Sequence, residues 1–158
     1  PLGMKDTAFV VPASKAHRIA EPLAIDPLTQ KPFPPMLNLT QPQGNDSGGA
    51  GLATTADDYL RFCQMLLNGG ELNGKRYLSA AALKELTRRQ TPETLKESYG
   101  LGFSVSPDSA GHGGAHATGM AIHFKTGRIT VWMVQHAGFP GDGAKARGAF
   151  DKAALAVR

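Results

Sequence analysis

The chain has 158 residues, 41% of them hydrophobic and 7% aromatic, with a formal net charge of +4, which suits one globular domain with a real core or a large piece of a bigger one. Its 17 basic residues are scattered, apart from pairs such as Lys75-Arg76 and Arg88-Arg89, and no aromatics interleave with a basic run, so a mildly basic solvated surface is favoured over a nucleic-acid-binding face. No apolar run approaches the ~20 residues that span a bilayer, and a single cysteine, Cys63, excludes an internal disulfide while leaving the compartment open.

The chain opens on "PLGMKDTAFVVP", without an initiator methionine and without a signal-peptide pattern. The first three residues could be a cloning scar. An internal start is preferred, because the following residues run on without a linker. Seven prolines, from Pro12 to Pro42, fall within about thirty residues and disfavour long helices and central strands. The apolar anchors "FVV", "LAI" and "MLNL" favour an extended loop wrapped on a core over a disordered linker.

The stretch from Thr54 to Gly70 predicts a helix. Thr54 or Thr55 can cap it, and Thr55 with Asp58 makes a capping-box pattern. Ala56, Leu60, Cys63 and Leu67 follow helical spacing, with Phe62 and Leu66 beside them. In this stripe Cys63 reads as a buried small hydrophobe. Gly69-Gly70 stops the helix, and Asn73-Gly74 makes a turn. Ser79 can cap a second helix of about ten residues, with Leu78 and Leu83 at the positions of a hydrophobic staple.

Strands follow. "YGLGFSVS" sets Leu101, Phe103 and Val105 on one face. "GMAIHFK" alternates Met120, Ile122 and Phe124 with Ala121 and His123. "RITVWMVQ" is apolar at nearly every residue, as a strand covered on both faces would be. From Gly143 onward the pattern is helical. Helices, then antiparallel strands, then a terminal helix predict an α+β fold.

Four stretches could carry chemistry. "GHGGAHATG", Gly111 to Gly119, sets His112 and His116 among glycines at a strand edge. Glycines let backbone N–H groups approach a ligand, and histidine adds a group that titrates near neutral pH. A plain glycine-rich connection is the competing reading. Two histidines four apart suggest metal ligands only on a helix; this run is too glycine-rich for one and has no third ligand nearby, so no metal is expected, and no cofactor. "GGAGLATTADD" opens a helix but lacks the lysine and spacing of a phosphate-binding loop. In "QHAGFPGDG", His136 and Asp142 could make a relay or simply lie in a turn. "HFKTGRIT" contains Lys125-Thr126-Gly127, one signature of penicillin-recognising serine enzymes.

Three stretches together resemble the C-terminal half of serine beta-lactamase-related hydrolases, a group that includes class C beta-lactamases, penicillin-binding-protein-like enzymes and esterases. They are "PLGMKDTAF", "GGAGLATTADDYLRFCQMLLNGGELNGKRYLS" and "YGLGFSV…GHGGAHATGMAIHFKTGRITVWMVQ". The resemblance implies part of a beta-lactamase/transpeptidase-like α+β fold, an antiparallel sheet with a C-terminal helix and part of a helical region. It implies that residues 1–158 are the C-terminal portion of a single hydrolase domain. It implies acyl transfer on a small-molecule ester, amide or lactam, and a periplasmic or extracellular setting. Such enzymes carry Ser-x-x-Lys, Tyr-x-Asn or Ser-x-Asn, and Lys-Thr-Gly or His-x-Gly. The first two patterns occur nowhere in this chain. The chain alone is therefore expected to be catalytically incomplete, and a non-catalytic binding module is the alternative.

The resemblance favours His112-Gly113-Gly114 as the third motif, because it precedes two strands whereas Lys125 precedes one. At about 3.3 Å per residue, Met120 to Phe124 separates the two candidates by more than about 13 Å, so one reaction centre cannot use both. The resemblance then gives His112 a role in binding a substrate carboxylate or orienting proton transfer. The N–H of Ala115 becomes an oxyanion donor, Gly113 and Gly114 keep the edge open, and His116 is a candidate for the pocket wall. Lys125-Thr126-Gly127 becomes a hairpin turn. A sheet lacking upstream strands is expected to aggregate or pair through its open edge.

Overall fold

The first long helix, α1 (Ala56–Leu67), starts where Thr55 stands extended and its side chain accepts the Asp58 N–H at 3.3 Å, satisfying one of the helix's orphan donors. The structure, a computed structural model, describes residues 1–33, 38–44, 48–136 and 142–157. Only half of the expected capping box forms. Asp58 turns its carboxylate away from Thr55 and accepts the Asp6 N–H at 2.7 Å and the Thr7 hydroxyl at 2.9 Å. Thr7 also meets the Thr54 hydroxyl at 2.8 Å, and Ala8 and Ala53 exchange backbone hydrogen bonds. The N-terminal segment is thereby sewn to the start of α1.

Cys63, Met65 and Leu66 are the buried apolar residues of α1. Leu60, expected on that stripe, is 42% exposed. It lines an apolar groove of about 630 Å³ along the next-to-last element of the fold, with Ile129, Val131, Phe150 and Val157. The helix ends at Gly69 and Gly70, both at positive φ. A hairpin of β1 (Glu71–Leu72) and β2 (Lys75–Arg76) turns through Asn73 at φ 52° and Gly74 at φ 73°, the left-handed pair that a tight hairpin requires. Ser79 caps α2 (Ala80–Thr87) by accepting the Ala82 N–H at 3.1 Å. Leu78 and Leu83 both pack on the core.

Four antiparallel strands follow: β3 (Ser104–Ser106), β4 (Ser109–Gly113), β5 (Gly119–His123) and β6 (Arg128–Trp132), in the spatial order β3-β4-β5-β6. Leu101 departs from the expected strand. It lies in a bend before Gly102, donates its N–H to the Leu86 carbonyl, and is 55% exposed. Phe103 and Val105 are buried as the alternation requires. Register places Ala110, Ile122 and Ile129 in one row and His112, Met120 and Val131 in the next on the same face. Here α1 packs, and Met120 and Ile122 join Cys63 and Leu66 in the core. The opposite face receives α3 (Gly143–Ala156), whose Phe150 ring meets Trp132 at 5.0 Å. The apolar run of β6 is thus covered on both faces, while β6 is an edge strand among the described residues. The arrangement is α+β.

The N-terminal region is an irregular wrap. It contains a short 3-10 helix, Ala13–Arg18, tied back by ion pairs from Lys15 and Arg18 to Asp6, and a small bridge between Ile25 and Pro32. Met36 and Leu37 of the "MLNL" anchor lie outside the described residues.

Candidate active site

His112 is the penultimate residue of β4, and Gly113 is the last. The row it occupies runs out of the core: Ala110 is buried, while His112 is exposed. The Tyr99 ring meets the imidazole edge-on, with centroids 6.0 Å apart at 78°. Tyr99 reaches it because it bridges to Ser104, which pairs with Gly111. No spacing in the sequence announces this pairing.

After Gly113 the chain reverses in a tight loop. Gly114 N–H donates to the Thr118 carbonyl at 2.9 Å, and Ala117 N–H donates to the Gly114 carbonyl at 3.0 Å. Ala117 takes φ 62°, a conformation that L-residues hold only when their surroundings impose it. Ala115 is exposed in this loop, and its N–H donates to no acceptor among the described residues. The His116 carbonyl accepts the His136 N–H at 3.2 Å, and the His136 ring meets Phe33 at 4.1 Å. The proline-rich segment is therefore fastened beside this loop. His112, Gly113, Gly114, Ala115 and His116 are all brought to one end of the sheet.

Lys125, Thr126 and Gly127 lie at the other end of β5, in the turn to β6. Thr126 N–H donates to the His123 carbonyl at 3.2 Å, and Gly127 takes φ 66°. Phe124 and Ile129 pack on the core on either side. Asp142 precedes α3 and pairs with Lys145 at 2.7 Å on the surface; residues 137–141 of the "QHAGFPGDG" run lie outside the described residues. Cys63 is fully buried, and burial pushes its thiol up to about 12, which removes it as a nucleophile. Burial likewise raises Tyr59. Among the described residues, no group of three or more His, Cys, Asp or Glu gathers to hold a metal, and no helix is long and apolar enough to cross a membrane. The apolar groove beside β6 is two strands away from β4 and takes no part in this constellation.

The model of the Beta-lactamase family matches residues 1–155. The chain belongs to this family. Protein Rv1367c of Mycobacterium tuberculosis (strain ATCC 25618 / H37Rv) is 32% identical over 166 residues, which cover 86% of this chain and 41% of that protein. Protein MT1414 of the CDC 1551 / Oshkosh strain matches equally. The chain thus spans well under half the length of these curated relatives. Among solved structures, a family VIII carboxylesterase superposes with a TM-score of 0.70 at 22% identity, over 98% of this chain and 48% of that one. A penicillin-binding protein homologue from Caulobacter crescentus gives 0.60 at 20% identity, over 87% and 44%. EstCE1, a hydrolase with promiscuous acyltransferase activity, gives 0.63 at 16%, over 95% and 46%. These structures share the Beta-lactamase family fold seen here.

The resemblance marked the loop after β4, but three of its neighbours were not legible in sequence: Tyr99, Thr118 and Arg147. Thr118 and Arg147 act from opposite ends of the loop. A Cβ on Gly114 would stand 2.3 Å from Thr118 Oγ1, and a Cβ on Gly119 would stand 2.4 Å from an Arg147 Nη. At each glycine a Cβ would force aside a side chain that only the folded chain brings there.

Proposed function

We propose that residues 1–158 are the C-terminal portion of a single serine-hydrolase domain acting by acyl transfer on a small-molecule ester, amide or lactam. In this reading a serine from Ser-x-x-Lys attacks the substrate carbonyl carbon, and the carbonyl oxygen becomes an oxyanion. The Ala115 N–H and the N–H of that serine hold the oxyanion. Collapse expels the alcohol, amine or lactam nitrogen, and water then releases the acyl group. His112 binds a substrate carboxylate or orients the proton-transfer network. His116 belongs to the pocket wall. Neither Ser-x-x-Lys nor Tyr-x-Asn occurs in the chain, so turnover requires a segment that carries them. No cofactor enters this chemistry.

The observation that carries the reading is the exposed His112-Gly113-Gly114 run at the end of β4, followed at once by exposed Ala115, whose N–H donates to no acceptor among the described residues. The carboxylesterase likeness over 98% of the chain supports esters among the candidate substrates. In the native gene product that contains this chain, hydrolysis of nitrophenyl esters and of a chromogenic cephalosporin is the test. His112→Ala is expected to lower acyl transfer by more than about tenfold, a threshold set below the ~10²–10⁴-fold of a residue that itself transfers the proton, and Lys125→Ala to leave it within twofold. Equal losses from the two substitutions sink the motif assignment. A gene product that lacks Ser-x-x-Lys and hydrolyses neither substrate sinks the enzyme reading.

A further inference from the structure

We propose that Arg147, on the far side of the sheet, is a positioning residue for the loop that offers the Ala115 N–H. The proposal rests on the acyl-transfer reading above and adds to it a residue that touches no substrate.

Gly119 is buried and pairs with Gly113 on one side and Trp132 on the other. The loop 114–118 leaves the sheet from the Gly113–Gly119 rung, so its geometry is inherited from that rung. Gly119 points to the α3 face, opposite to Met120. There the Arg147 guanidinium lies against it so closely that a Cβ would meet the two Nη atoms at 2.4 and 3.0 Å.

Arg147 is itself held in place. Its Nε donates to both Asp151 oxygens, at 3.0 and 2.8 Å, one helical turn on. Its guanidinium carbon lies 5.7 Å from the centre of the Trp132 ring, within the range of a cation–π contact. Trp132 in turn rests on Phe150 of the same helix. The guanidinium is therefore held by Asp151 and Trp132 and presses on the rung from below. At the loop's other end, Thr118 Oγ1 lies over Gly114. With both ends clamped, the loop can hold Ala117 at φ 62°, and the Ala115 N–H keeps one direction. Oxyanion donors act through such preorganisation, and a small displacement weakens the transition state more than the bound substrate. A planar, forked cation suits this role; a lysine would keep the charge and lose the plate.

The experiment has two arms. In the native gene product, Arg147→Ala and Arg147→Met are expected to lower kcat for a nitrophenyl ester about tenfold with KM within twofold. Affinity for a phenylboronic acid, which mimics the tetrahedral state, should fall in parallel. Arg147→Lys should not rescue. Gly119→Ala should cost as much as Arg147→Ala in the parent and less than twofold in the Arg147→Ala background, because its collision partner is then gone. Unchanged kcat and boronate affinity in Arg147→Met, or an equal cost of Gly119→Ala in both backgrounds, overturns the proposal. The second arm needs no activity. In the native gene product, amide NMR of Arg147→Met should show Ala115 and Thr118 displaced or exchange-broadened, with β3 amides unmoved. Unmoved Ala115 and Thr118 amides overturn the proposal even if the enzyme is active. Displaced amides in a chain whose gene product hydrolyses no ester uphold the brace and reject the acyl-transfer reading alone.

Discussion

Asp58 is the residue on which the attachment of the N-terminal segment should depend most. The residue is 6% exposed, and its carboxylate accepts the Asp6 N–H at 2.7 Å and the Thr7 hydroxyl at 2.9 Å. A hydrogen bond to a charged group contributes about 1.5–3 kcal/mol. In Asp58→Ala the Thr7 hydroxyl keeps its Thr54 partner, so that bond is lost only in part, whereas the Asp6 N–H loses its acceptor outright. Loss of a carboxylate from the first helical turn adds about 0.5 kcal/mol. The expected total is about 3 kcal/mol, and at ~2–4 °C per kcal/mol for a chain of this length the melting temperature falls about 6–12 °C. Asp57 is the internal control: it shares the first turn but is exposed, so Asp57→Ala should cost under about 1 kcal/mol. Thermal and urea unfolding followed by circular dichroism compare the two, and hydrogen exchange at the Asp6 amide reports the latch directly. If the two alanine variants lose equal stability, or if the Asp6 amide keeps its protection in Asp58→Ala, the latch does not hold the segment.

Other outcomes follow from single positions. Gly70→Ala should cost about 3–4 kcal/mol, because φ is +92° and a Cβ would stand 2.4 Å from the Leu78 carbonyl oxygen; Gly69→Ala, at φ +73° with open space around it, should cost only the left-handed penalty of about 1–2 kcal/mol, and equal urea midpoints would refute the close approach. Lys15 first, then Arg18, hold the Asp6 carboxyl below its ordinary value of 3.8. The unfolded chain therefore binds more protons between the two pKa values, so this contribution is present above about pH 4 and is lost as pH falls through the depressed folded value; a pH–stability profile of Asp6→Asn should lack that segment, and an unchanged acid limb would count against the pairing. Gly113→Ala should leave stability within ~0.5 kcal/mol, since its Cβ would meet nothing nearer than the Thr118 carbonyl oxygen at 3.9 Å, yet lower acyl transfer in the native gene product; full activity would show that substrate does not approach that edge.

Much of the fold was legible because local chemistry and tertiary packing agree. The Thr55 and Ser79 caps, the Asn73-Gly74 turn and the Met120/Ile122 alternation each depend on neighbours close in sequence. The misreadings have a common cause. Leu60 fits the helical stripe of α1 but faces the groove beside β6, where no described element covers it. Leu101 fits the alternation of β3, yet its N–H is taken by the α2 carbonyl of Leu86, which bends the chain before the strand begins. Met65, absent from the expected stripe, is buried because the β1–β2 hairpin folds back against α1. Periodicity reports which face could be buried. Which part of that face is buried depends on partners far along the chain.

The candidate site shows the same division within nine residues. Composition alone left "GHGGAHATG" open between a ligand-approach site and a loose connection, because four glycines look alike in sequence. In the fold they differ. A Cβ on Gly111 would strike the Met120 carbonyl oxygen at 2.6 Å, on Gly114 the Thr118 hydroxyl, and on Gly119 the Arg147 guanidinium; Gly113 has room. Three of the four are crowded by neighbours, as a packed connection would be, and together they build the clamped loop that ligand approach needs. The two alternatives are therefore not rivals at this site. Gly111, held by the Met120 backbone, and Gly114 and Gly119, crowded by the Thr118 and Arg147 side chains, frame the edge at which Gly113 has room and Ala115 is exposed. Substitutions at the first three should therefore disturb stability and activity together, while the consequences of Gly113→Ala should fall on activity alone.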